Sequence, residues 1–145
     1  MKIHEIKIQQ QFNAPVETVW EIFSDHVRFG KMMGQNISRI VDSTDPKDVN
    51  GLNSVRRISV PFAVFEETIR KSVKNECIEY QITKGTPLAH HYGTMVFNRL
   101  PNGKSSLDYT IEVGSNTPLL GSIIKQLLKF AIGSAVKKYA NSLKG

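Results

Sequence analysis

The sequence has little of what usually decides a protein's class at a glance. It holds one cysteine, Cys77, so no internal disulfide can form and a disulfide-stapled secreted scaffold is excluded. No apolar run approaches the roughly 20 residues that a membrane-spanning helix needs. The opening Met1-Lys2-Ile3-His4-Glu5-Ile6-Lys7 alternates charged with apolar residues where a signal peptide would be continuously apolar. That pattern predicts no leader and a cytoplasmic location. No phosphate loop, dinucleotide fingerprint or nucleophile motif occurs, and no cofactor is expected. Internal repeats and low-complexity tracts are absent too, which predicts one domain over residues 1–145.

What is present is ordinary for a globular chain: 40% apolar and 22% charged residues, with a net charge of +6. A chain of this length buries roughly 70% of the surface its unfolded form exposes, so it needs no metal or disulfide staple. The basic residues are spread along the sequence and carry no RNA-binding aromatic signature, so no nucleic-acid partner is expected. They do gather at the end, in Lys125, Lys129, Lys137, Lys138 and Lys144, beside the apolar Ile123, Phe130 and Ile132. Such a helix is either a solvated packed element or a surface for weak contact with an anionic membrane, without stable insertion.

The pattern of elements is legible. Residues 2–12 alternate as a half-buried strand, with Ile6, Ile8 and Phe12 on one side. Asn13, Pro15 in the first turn and Glu17 then mark a helix start, and Val16, Val19, Trp20 and Phe23 form one helical face. A second short helix is expected between Asp25 and Gly34. Strands are expected at 37–41, 52–60, 64–73, 78–83, 89–100 and 107–113, joined by turns at Pro61-Phe62, Asn75-Glu76 and Pro101-Asn102-Gly103. A long helix runs from Pro118, with proline in its first turn and Leu120, Ile124, Leu127, Ala131 and Ala135 on its packed face. The fold class is therefore α+β: a seven-stranded curved antiparallel sheet wrapped around a long C-terminal helix, with two short helices after the first strand. A sheet of that kind can leave an apolar cavity beneath the helix.

Strand parity assigns the inner face. A three-residue loop at 101–103 pairs Phe97 with Leu107, Met95 with Tyr109, Gly93 with Ile111 and His91 with Val113. A two-residue turn at 61–62 pairs Ile58 with Phe65 and Arg56 with Glu67. The expected wall is Ile58, Phe65, Ile69, Ile78, Tyr80, Ile82, Met95, Phe97, Tyr109 and Ile111. Ile124, Leu127, Leu128 and Ala131 are expected on the helix opposite, and Phe29, Met32 and Met33 at the mouth.

Four stretches carry a family resemblance that covers essentially the whole chain. They are Phe12-Asn13-Ala14-Pro15-Val16-Glu17-Thr18-Val19-Trp20, Gly51-Leu52-Asn53-Ser54-Val55-Arg56-Arg57, Phe65-Glu66-Glu67-Thr68-Ile69, and Pro118-Leu119-Leu120-Gly121 with Leu143-Lys144. In order and spacing the chain resembles the START/SRPBCC superfamily, which includes pollen-allergen-like proteins, and within it the polyketide cyclase/dehydrase-like branch. Asn53 stands where that family often has a second glycine. Lys31-Met32-Met33 stands where an aromatic-Pro-x-Trp stretch is common, which alters the pocket mouth. The resemblance implies a helix-grip fold with an internal cavity and places Glu67 inward. It implies no single reaction, because the fold hosts carriers, cyclases, hydrolases and chaperone activators.

The candidate ligand-binding residues are Arg56, Ile58, Phe65, Glu67, Tyr80, His91, Met95, Phe97, Tyr109, Ile124, Leu127 and Leu128. An inward Arg56–Glu67 pair either orients a polar ligand group or is a structural ion pair. His90 and His91 point to opposite faces, so only His91 enters the cavity, and no metal site is expected. His91 and Tyr109 are the candidate proton-transfer groups; Cys77 points outward and has no evident base. Three functions follow: binding or transport of a small hydrophobic molecule by a monomer or homodimer, a cyclase/dehydrase-like enzyme in the same cavity, or a protein-interaction module signalled by an exposed apolar patch on the last helix.

Overall fold

The structure is a computed structural model that describes residues 1–61 and 63–143; Phe62 of the expected turn and Lys144 of the expected helix end lie outside them. β1 (Lys2–Phe12) leads into α1 (Val16–Ser24) and α2 (His26–Met33). β2 (Asn36–Val41), β3 (Val55–Val60), β4 (Ala63–Val73), β5 (Cys77–Lys84), β6 (His90–Leu100) and β7 (Lys104–Ser115) follow, and α3 (Leu120–Ser142) comes last. The seven strands make one antiparallel sheet in the order β1-β7-β6-β5-β4-β3-β2. Successive hairpins build β2 through β7, and β1 adds outside β7. The α1–α2 pair therefore carries the chain from one edge of the sheet to the other.

Local chemistry explains the helices. α1 buries Val16, Val19, Trp20 and Phe23, the stripe expected from its spacing. Pro15 is its N-cap, in extended backbone at φ −67°, and so lies just ahead of the first turn. α2 starts on Asp25, whose Oδ1 accepts from the backbone N–H of Val27 and of Arg28 at 3.0 Å each. It stops at Gly34, left-handed at φ 68°, whose N–H donates to the carbonyls of Gly30 and Lys31.

The hairpin registers are those expected from parity: Val60 opposite Ala63, Arg56 opposite Glu67, Met95 opposite Tyr109 and His91 opposite Val113. Two boundaries differ by three residues. β3 begins at Val55, not at Leu52, because Asn53 adopts φ 67° and turns the chain, leaving Leu52 exposed, and β7 begins at Lys104, not at Leu107, and runs on to Ser115.

α3 needs the larger correction. It lies along β1 and touches β7 and α2. Its buried residues are Gly121, Ile132, Val136 and Ala140, with Leu120, Ile124, Leu128 and Tyr139 half-buried. Leu127 is 64% exposed and Ala131 is exposed, so neither belongs to the packed face. The helix is apolar on more than one side, and spacing alone does not choose between them. Gly121 lets the first turn come close: a Cβ there would lie 3.1 Å from the ring of His4 on β1. Pro118 precedes the helix, and Leu119 caps it in the left-handed region at φ 67°. Among the described residues no helix is long and apolar enough to cross a membrane.

Aromatic rings fill the space where α1 and the end of α3 meet the sheet. Trp20 packs on Phe97 at 5.3 Å, Phe23 on Phe97 at 5.8 Å, and Phe12 on Tyr139 at 5.6 Å between ring centroids.

Candidate functional site on the concave face

The register of β3 on β4 sets Arg56 across from Glu67, and both side chains are buried. Arg56 Nε donates to Glu67 Oε1 at 2.7 Å. Nη2 lies 2.6 Å from the same oxygen, close enough for the ion pair but off the line of a hydrogen bond, so that nitrogen has no acceptor of its own. The ring of Phe29, from α2, lies 4.6 Å from the guanidinium carbon, and that of Tyr80, from β5, 5.1 Å. A charge removed from water in this way is held by its partner carboxylate and by the negative faces of two rings.

Tyr80 stands opposite Gly93 of β6. A Cβ at residue 93 would overlap the Tyr80 ring, so glycine is what lets that ring lie across the strand. The hydroxyls of Tyr80 and Tyr109 are hydrogen-bonded to each other. Burial first, then the repulsion between the two phenols and the charge of Glu67, push the Tyr80 pKa well above the usual phenol value. Burial, followed by the Glu67 charge, does the same for Tyr109. Both are neutral at ordinary pH. One donates to the other, and the second O–H remains to be offered elsewhere.

His26 and Ser54 complete this polar row, and sequence reasoning missed both as site residues. His26 opens α2 with no exposed surface, and its Nε2 lies 2.9 Å from Ser54 Oγ. Burial, then the positive charges of Arg56 and Arg39, bring its pKa down to about 3, so the ring is neutral. Its Nδ1 has no hydrogen-bond partner. His26 lacked any spacing to a second metal ligand. The signal that could have found it is its place three residues before Phe29, on one face of a short helix behind a capping aspartate.

The remaining predicted residues are distributed differently. Ile58 and Met95 are buried on the concave face, and Phe65 is half-buried there. Phe97 belongs to the aromatic packing under α1. His91 is half-buried, and burial, with a smaller contribution from His90, pushes its pKa down to about 4. His90, on the other face, meets Glu112 Oε1 at 3.0 Å. Ile124 and Leu128 are half-buried on α3, whereas Leu127 points to solvent.

A cleft of about 590 Å³ opens between α1–α2 and the C-terminal half of α3. Ile22, Met32, Met33, Ala135 and Tyr139 line it, with Arg28, Lys31 and Lys138 among its polar residues. Phe29, one turn before Met32 and Met33, is the ring over Arg56. A single short helix thus borders the cleft with one part and covers the buried charges with another. Among the described residues no three His, Cys, Asp or Glu side chains come together as metal ligands would.

Residues 4–145 match the family described as polyketide cyclase/dehydrase and lipid transport. No curated protein sequence matches the chain. Among solved structures it is similar to a START superfamily protein from Mycobacterium smegmatis, at 15% identity over 97% of this chain and 99% of that one, with a TM-score of 0.78. It is also similar to an aromatase/cyclase from Streptomyces sp. R1128, at 13% identity, 97% and 94% coverage and a TM-score of 0.76. Norcoclaurine synthase from Thalictrum flavum gives 12% identity, 99% and 90% coverage and a TM-score of 0.70. These likenesses establish the helix-grip fold, and the match over residues 4–145 shows that the chain belongs to the polyketide cyclase/dehydrase and lipid transport family.

Proposed function

We propose that the protein binds a small, largely apolar molecule between the concave face of the sheet and α3, admitting it through the cleft beside α2. The observation that carries this reading is the shared helix. Met32 and Met33 of α2 line the cleft, and Phe29 of the same helix lies over a buried Arg56 that has one nitrogen without an acceptor. Burial of apolar surface, at about 25 cal/mol per Å², supplies the affinity. Arg56, Glu67, Tyr80, Tyr109 and His91 set the orientation of an oxygen-bearing end. The lone Cys77 fits a cytoplasmic carrier or sensor acting as a monomer or homodimer.

Native mass spectrometry of the freshly purified protein, followed by denaturing extraction, tests this. The expected result is a near-stoichiometric apolar passenger, or uptake of one from a panel of fatty acids, quinones, sterol-like and polyketide compounds. Filling the cleft with Met33→Trp should lower that uptake while the melting temperature holds. A mass that stays bare throughout the panel would overturn the reading.

A second reading, catalysis in the same place, is favoured by one observation. Arg56, Glu67, Tyr80 and Tyr109 converge in a water-poor environment, where hydrogen-bond donors stabilise developing negative charge on oxygen. Once a compound is bound, Tyr109→Phe or His91→Ala should abolish its turnover and spare its affinity if the site is catalytic. Unchanged chemistry in the bound compound with and without these hydroxyl and imidazole groups would return the site to binding alone.

A further inference from the structure

α3 has a second apolar side that packs against nothing in the chain. Leu119, Ile123, Leu127 and Phe130 are 77%, 55%, 64% and 78% exposed. Their spacing puts them on one side of the helix, opposite the buried Gly121 and Ile132. Lys137 continues the same side about two turns after Phe130, and Lys129 flanks it. From Val113 onward the sequence contains no Asp or Glu, while α3 carries Lys125, Lys129, Lys137 and Lys138. Leu119 adds an independent mark. It holds a left-handed backbone, which a non-glycine residue rarely adopts, with its side chain in solvent.

We propose that this side of α3 docks in the plane of an anionic bilayer surface, with Leu119, Ile123, Leu127 and Phe130 among the lipid chains and Lys129 and Lys137 at the headgroups. An apolar row beside uniformly positive charge is the pattern of an interfacial helix. Charge selects the occupant: α3 carries lysines and no acidic residue, and an anionic surface supplies the opposite charge. The row from Leu119 to Phe130 is about 16 Å long, too short to cross a bilayer and long enough to lie on one. The proposal stands apart from the ligand reading, since the row is on the outer side of the helix.

Flotation with vesicles tests it. The purified chain is mixed with phosphatidylcholine vesicles or with vesicles of phosphatidylcholine and phosphatidylglycerol. It should float with the mixed vesicles, sink with the neutral ones, and be released by molar salt. Ile123→Ser with Phe130→Ser should weaken vesicle binding by about tenfold or more at an unchanged melting temperature, and so should Lys129→Gln with Lys137→Gln. Failure to float with the anionic vesicles overturns the proposal, as does equal flotation of all variants. A concentration-dependent dimer in sedimentation, lost in the Ile123→Ser, Phe130→Ser variant and accompanied by no flotation, also overturns it and makes the face a self-interface. Loss of ligand uptake in the mass-spectrometric experiment with flotation intact would sink the ligand reading and leave this one standing.

Discussion

Arg56 is 1% exposed, so its charge is held out of water and depends on the Glu67 carboxylate. Arg56→Ala would leave the Glu67 carboxylate buried without its partner and should lower stability by about 3–5 kcal/mol, read by urea unfolding. Arg56→Met with Glu67→Leu should recover most of that loss, because an apolar pair of similar size replaces both charges. Gly93→Ala should displace the Tyr80 ring and cost about 1–3 kcal/mol, with a change in near-ultraviolet circular dichroism from the disturbed tyrosines. His26 gives a pH dependence. Above its unfolded value near 6.5 the ring is neutral in both states and contributes no slope. As pH falls from 6.5 toward about 3, the unfolded chain takes up a proton that the folded chain refuses. Stability should then fall by up to about 1.4 kcal/mol per pH unit, and His26→Gln should flatten the curve. His91, half-buried with a pKa near 4, acts in the same direction and more weakly.

At the scale of the element, the hairpins were legible and the last helix was not. Pro101-Asn102-Gly103 and a two-residue turn fix a register, and a register fixes every side chain's face, so the Arg56–Glu67 and Met95–Tyr109 pairs follow from turn chemistry. α3 has no such constraint. Leu120, Ile124 and Leu128 compete with Ile123, Leu127 and Phe130, and the burial of Gly121, Ile132, Val136 and Ala140 in the folded chain decides between them. His26 was unreadable for a related reason: its burial depends on Ser54 and Asn50 approaching α2 from a distant loop. Leu119 supplies a prediction at this scale. Leu119→Gly relieves a left-handed leucine and should raise stability by about 1 kcal/mol in thermal unfolding. The same change should weaken vesicle flotation, so that stability and docking move in opposite senses.

The polar row at the centre of the molecule is assembled from elements far apart in the sequence. α2 gives His26 and Phe29, β3 Arg56, β4 Glu67, β5 Tyr80 and β7 Tyr109. Composition and pattern reached the strands that carry these groups and the family they belong to. They also reached the short helix over them, with Phe29, Met32 and Met33, but not the burial of His26, which depends on Asn50 and Ser54. The strand order has a consequence for the chain as it is made. Of the seven strands in this sheet β1 is made first, and its neighbour β7 last: Lys2 pairs with Ser115 and Phe12 with Ser105. At about 5–20 residues per second, Ile6, Ile8 and Phe12 emerge many seconds before the strand that shelters them exists. Such long-range closure slows folding, and until β7 leaves the ribosome the apolar side of β1 is a site for chaperones to hold.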